Sequence, residues 1–245
     1  MDGRHTFSLS QEEWRASKAF LRRYSLLLGY GLARVLLGRD AQIRLRRDVL
    51  LNNLIPLAIA AWASGDRRRS PSWYGFSASS ARCVLLHSAV GGALGVAFVL
   101  GPSGKRMFGL RDEWERRLAG LSVTEATVLL GLGGVREEVI WRGWTYSEVE
   151  GAFQARSRRT RAAVAIGVSA FLFSSAHLLN FAEGPRRRLA PELQQMAAAA
   201  ALGLIGGYWR HATGSIVPGL VLHNVTNMLR WQQTRAALLG ERAGA

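Results

Sequence analysis

The chain has 245 residues, of which 49% are hydrophobic and 20% charged, with a formal net charge of +15 and a mean hydropathy of +0.05. All but two of the 32 basic residues are arginines, the exceptions being Lys18 and Lys105. This apolar content excludes intrinsic disorder, the single cysteine, Cys83, excludes a disulfide scaffold, and no coiled-coil, collagen or solenoid period is present.

Residues 1–48 are polar and arginine-rich, and no short apolar stretch follows a compact basic start, so no secretory signal is expected there. Within them, residues 24–38 (YSLLLGYGLARVLLG) read as an interfacial or partly inserted helix. A short apolar run follows at 49–64. Residues 83–101 (CVLLHSAVGGALGVAFVLG) contain no formal charge, and as a helix they are long enough to cross a hydrocarbon core of ~30 Å. The run at 118–135 holds one acidic residue, Glu125. Residues 162–182 (AAVAIGVSAFLFSSAHLLNFA) are again uncharged, 193–209 are apolar after a polar start, and 212–229 (ATGSIVPGLVLHNVTNML) form the last run. Charged connectors separate the runs: Arg67 to Arg69, 105–117, Arg156 to Arg161, and Arg186 to Arg188.

This pattern predicts an all-α, polytopic transmembrane bundle of about six to eight helices. Its expected division is a peripheral basic segment at 1–48, a membrane-embedded domain at 49–231 and a tail at 232–245. Gly91 with Gly95, and Gly203 with Gly207, stand at helical spacing where small residues let helices approach. A basic nucleic-acid binder would need amphipathic helices, so the arginines are assigned to lipid headgroups or to a biased surface. Successive loops are all basic, and the positive-inside rule therefore sets no orientation.

Ionisable side chains within apolar helices are costly and point to function. Three clusters qualify. In Arg136-Glu137-Glu138-Val139-Ile140-Trp141-Arg142-Gly143, Glu138 and Arg142 stand at i and i+4 and can pair, while Glu137 points about 100° away. In Phe173 to His177, the phenyl ring lies one turn before the imidazole on the same face. In His223 to Asn227, an imidazole and an amide share one face. A carboxylate or a histidine can deprotonate water, histidine and asparagine donors can hold an oxyanion, and one glutamate with two histidines is also a zinc ligand set. Structural readings stay open for each cluster: a solvated helix end, a packed core histidine, or a polar interhelical contact. His87 reads as structural and His211 as a solvated loop residue.

Glu137-Glu138-x-x-x-Arg142, Phe173-x-x-x-His177 and His223-x-x-x-Asn227 resemble, in this order, the three motifs of the CPBP intramembrane proteases. That family includes the CAAX prenyl endopeptidases of the Rce1 type and bacteriocin-processing or immunity relatives. Arg142-Gly143 and the stretch from Gly206 to Ile216 resemble it too, and the likeness covers roughly residues 70–231. Trp141 departs from it, standing where a Phe is common. The resemblance implies a multi-pass protein of a prokaryotic plasma membrane, an Rce1-like bundle that hydrolyses a peptide bond of a membrane-associated protein, a CAAX-type protein being one candidate, with nothing in the sequence to say whether the substrate is prenylated. It assigns Glu137 as general base aided by His177, His223 and Asn227 as oxyanion donors, and Glu138 with Arg142 as the pair that holds the motif or positions the substrate. Glu137, His177 and His223 could instead hold a divalent metal such as zinc; HExxH, the soluble zinc-protease motif, is absent. Expected partners are membrane lipid and a peptide or protein substrate, with no nucleic acid. The alternatives are a non-catalytic scaffold or bacteriocin-immunity factor of the same fold, and a small transporter, for which no inverted repeat is seen.

Overall fold

A computed structural model describes residues 9–36, 47, 49–64, 70–76, 80–101, 113–178 and 189–243. These form α1 (Gln11–Leu36), α2 (Ile55–Ser64), α3 (Ala81–Leu100), α4 (Glu113–Ala119), α5 (Val123–Glu138), α6 (Tyr146–Ala152), α7 (Arg158–Ala176), α8 (Leu189–Thr213) and α9 (Val217–Ala243). No strand occurs among the described residues; one isolated bridge joins Phe76 to Ser215. The expected all-α bundle is what the chain forms.

Local chemistry starts several helices. The Ser80 hydroxyl accepts from the Cys83 amide at the head of α3. Ser122 and Glu125 close a capping box at the head of α5, and Ser157 accepts from the Thr160 amide before α7. The α5 rod does not end at Glu138. It widens into a π-helical turn, Val139–Thr145, and continues as α6. A second π turn, Leu50–Leu54, leads into α2.

Close helix crossings occur where the sequence places small residues. A Cβ added at Gly91 would lie 2.8 Å from the Pro218 carbonyl oxygen, and one at Gly95 would lie 3.1 Å from that of Leu222, so α3 lies directly on α9. One at Gly203 would lie 2.8 Å from the Ala170 side chain, which seats α8 on α7. Helix α3 buries Val84, Gly91, Gly95 and Val99 and turns Leu85 and Leu86 outward at 70% and 63% exposure. Small residues inside and large apolar ones outside invert the pattern of a water-soluble helix. Among the described residues α3 is the helix that by length and composition alone can cross a membrane, with a mean hydropathy of 2.1.

Three expectations change. The 212–229 run is not one span: α8 ends at Thr213, Gly214 turns left-handed at φ 71°, and α9 starts afresh with Pro218 in its first turn. The Thr213 hydroxyl bonds the Trp209 carbonyl at 2.8 Å and accepts from the Ser215 amide at 3.1 Å, which fixes that turn. Residues 232–243, expected as a tail, continue α9, with Leu238 buried. The N-terminal segment, expected to be peripheral, contributes Phe20 and Tyr24 of α1 to the principal core beside Trp141, Trp144 and Phe173. At its head, the buried Glu13 carboxylate receives Arg156 Nε at 2.6 Å, Arg156 Nη2 at 2.8 Å and the Ser10 amide at 2.7 Å. These donors, Arg156 foremost, hold its pKa at about 2, against an ordinary value of 4.5.

Candidate active site

The three clusters converge. Glu137 and Glu138 end α5, Arg142 projects from the π turn, Phe173 and His177 lie at the end of α7, and His223 belongs to the second turn of α9. Glu138 and Arg142 are sequestered, with side chains 2% and 1% exposed, and Arg142 Nη1 lies 3.0 Å from Glu138 Oε1. That contact is an ion pair without hydrogen-bond alignment: Arg142 Nη1, Arg142 Nε and Glu138 Oε2 have no hydrogen-bond partner. The guanidinium carbon also sits 4.3 Å from the centre of the Phe173 ring.

His223 stands between the two carboxylates. Its Nε2 is 3.2 Å from Glu137 Oε2 and its Nδ1 is 3.2 Å from Glu138 Oε1. Ionised carboxylates only accept hydrogen bonds, so Nδ1 donates to Glu138, while Nε2 makes a close approach to Glu137. His177 is fixed differently. Its Nδ1 donates to the Phe173 carbonyl oxygen at 3.0 Å, which leaves Nε2 with a lone pair. The Phe173 ring meets the His177 ring edge-on at 5.1 Å and 87°, and lies 5.9 Å from the His223 ring. The Glu137 carboxylate interacts electrostatically with both histidines. Asn227, one turn beyond His223 on α9, is half-buried, and its side chain makes no hydrogen bond to a described residue.

Glycines make room for this arrangement. A Cβ at Gly219 would lie 2.6 Å from Glu138 Oε2, and one at Gly206 would lie 3.0 Å from Arg142 Nε. Among the described residues no three His, Cys, Asp or Glu side chains are grouped so as to hold a metal ion.

Sequence reasoning missed Arg136. Its guanidinium pairs with the neighbouring Glu137 and also donates to the Asn52 carbonyl oxygen before α2. Adjacent helical residues do not face each other, so spacing gave no hint of this pair; the flexible arginine stem reaches around. His211, expected to be solvated, lies in the last turn of α8, with Nδ1 3.4 Å from the Tyr146 hydroxyl.

Residues 119–229, which contain every one of these side chains, match the family model described as type II CAAX prenyl endopeptidase Rce1-like. Over that segment, a little under half of its length, the chain is similar to the Rce1-like family. Rce1-like proteins are membrane-embedded hydrolases acting as endopeptidases, and this chain is an enzyme of that class. Searches against curated proteins and against solved structures find no match.

Proposed function

We propose that the chain is a multi-pass intramembrane endopeptidase that cleaves a membrane-associated protein carrying a CAAX-type C-terminus, with Glu137 as its general base. One observation carries this reading. Of two adjacent glutamates, Glu138 is sealed in the interior on Arg142, whereas the Glu137 side chain keeps 20% of its surface exposed beside two histidines. Glu138 is thereby the structural carboxylate and Glu137 the one with access to a water molecule.

In the proposed reaction, Glu137 accepts a proton from water while the water oxygen attacks the scissile carbonyl carbon. His177 Nε2, whose lone pair is freed by the Nδ1 contact, orients that water. The carbonyl oxygen becomes an oxyanion, which accepts hydrogen bonds from the Asn227 amide and from the His223 Nε2–H, which turns from Glu137 once that carboxylate has taken up the proton. The proton held on Glu137 then passes to the leaving amine nitrogen as the C–N bond breaks. The apolar outer face of α3 and the arginine-rich loops suit acyl chains and anionic headgroups respectively.

The test is cleavage, in detergent or proteoliposomes, of a quenched-fluorescence peptide ending in a CAAX sequence, with its cysteine farnesylated or bare. Wild-type protein should cleave it, and Glu137→Ala and His177→Ala should not. Undiminished cleavage by both variants would refute the mechanism, and full complementation in cells by Glu137→Ala would favour a non-catalytic scaffold. Activity abolished by a chelator and restored by zinc would favour a metal held by Glu137, His177 and His223.

A further inference from the structure

Helix α1 lies outside the matched segment 119–229, yet it is built into the same core. It runs alongside the rod that carries Glu137, Glu138 and Arg142 and is fastened to it at several levels. Glu13 pairs with Arg156 just beyond α6, Arg23 Nη1 lies 3.2 Å from Glu148 Oε1, and the Phe20 ring lies 5.7 Å from that of Trp144. Nearest the site, the Tyr24 ring meets the Trp141 ring edge-on at 5.9 Å. Trp141 in turn lies 6.1 Å from Phe173, the ring that touches His177, His223 and Arg142. Tyr24, Trp141 and Phe173 are 4%, 8% and 2% exposed.

We propose that α1 is a positioning element of the active site: Tyr24, through Trp141, sets the orientation of Phe173 and hence of the two catalytic imidazoles. The physical basis is the density of the interior. Three buried rings in series leave little freedom, and aromatic pairs have preferred geometries with centroids about 4.5–7 Å apart. Phe173 packs edge-on against His177, whose Nδ1 is anchored on the Phe173 carbonyl of the same helix turn, so a tilt of Phe173 moves the imidazole with it. Removing the Tyr24 ring opens space behind Trp141 and lets the series relax away from the site. No polar contact of Tyr24 enters the argument, so the ring alone is the active part.

The proposal rests on the peptidase reading above, and its test separates the two. Cleavage of the farnesylated CAAX-type peptide is measured for wild type, Tyr24→Phe, Tyr24→Leu, Tyr24→Ala and Glu137→Ala, each below its own melting temperature. Loss of positioning predicts that Tyr24→Ala lowers kcat by about tenfold to a hundredfold, the scale of a displacement near 1 Å. KM should stay within about twofold, because the interaction is felt in the transition state rather than in substrate binding. Tyr24→Phe should match wild type. Tyr24→Leu, which fills much of the volume without an aromatic edge, should fall between and carries the test if Tyr24→Ala does not fold. Unchanged kcat in Tyr24→Ala or Tyr24→Leu, a rise in KM alone, or a Tyr24→Phe variant as impaired as Tyr24→Ala would each overturn it. If wild type cleaves, Glu137→Ala is dead and the Tyr24 series is flat, the positioning role alone fails. If Glu137→Ala retains full activity, the peptidase mechanism fails.

Discussion

Replacing Arg142 with methionine keeps most of the side-chain length and removes the cation. What remains is Glu138, whose side chain is 2% exposed, with one oxygen near His223 and the other unpartnered. Removing one partner of a buried ion pair costs about 3–5 kcal/mol, because the other charge stays behind uncompensated. At about 2–4 °C per kcal/mol for a chain of this size, the melting temperature in detergent should fall by roughly 6–20 °C. Glu138→Gln combined with Arg142→Met removes both charges and nearly conserves volume, so the double variant should regain most of that loss. The assay is a double-mutant cycle on thermal unfolding, followed by tryptophan fluorescence or by dye labelling of Cys83. Coupling indistinguishable from zero, with the double variant falling by the sum of the single ones, would refute the claim that the pair acts as one buried unit. Peptidase activity should be lost in the two variants that carry Glu138→Gln even where stability returns, since His223 then lacks its second carboxylate.

Other outcomes follow from the same geometry. Glu137→Gln should lower kcat by at least about a hundredfold, the range of a positioned general base, while the melting temperature stays near that of wild type. Gly219→Ala places a methyl group 2.6 Å from Glu138 Oε2 and should destabilise by about 1–3 kcal/mol, read as a shift in thermal unfolding. Gly214→Ala forces a left-handed conformation at φ 71° onto a residue with a Cβ and should cost about 1–2 kcal/mol by the same measurement. For pH, Glu13 has a depressed folded-state pKa of about 2, so its stabilisation is fully present above its ordinary value of 4.5 and is lost as pH falls towards 2. The difference in melting temperature between wild type and Glu13→Gln should be constant at neutral pH and should close through that acidic window; a difference independent of pH would count against the Arg156 pairing.

Much of the site could be read from spacing because its key contacts lie within single helices. Glu138 with Arg142 and Phe173 with His177 are four residues apart, and both pairs meet as that spacing implies. The convergence of the three motifs followed from the expense of polar groups in apolar helices, which leaves a common interior as their natural place. The missed parts depend on packing between distant segments. Nothing local marks Val139–Thr145 as a π turn: its β-branched, aromatic and glycine residues weaken a regular helix without specifying which irregularity replaces it. The close approach of Gly143 to the Tyr74 carbonyl oxygen, where an added Cβ would lie 2.9 Å away, is a tertiary event. The docking of α1 depends likewise on Trp141 and Trp144, more than a hundred positions away in the chain. The break at Gly214 carried a local sign, a glycine four residues before Pro218, which the surrounding run of apolar residues obscured.

The widened turn at Val139–Thr145 has a consequence for comparing this protein with its relatives. Each residue of a regular helix advances about 100° around the axis, whereas a turn with an extra member resets that count. The two halves of the rod are therefore in different phase, one addressing Glu137 and Glu138 to His223, the other addressing Tyr146 and Glu148 to His211 and Arg23. A relative that drops one position here would keep both halves in its sequence while rotating one against the other. Homologous positions beyond the turn would then occupy different sides of the rod, however well the letters align.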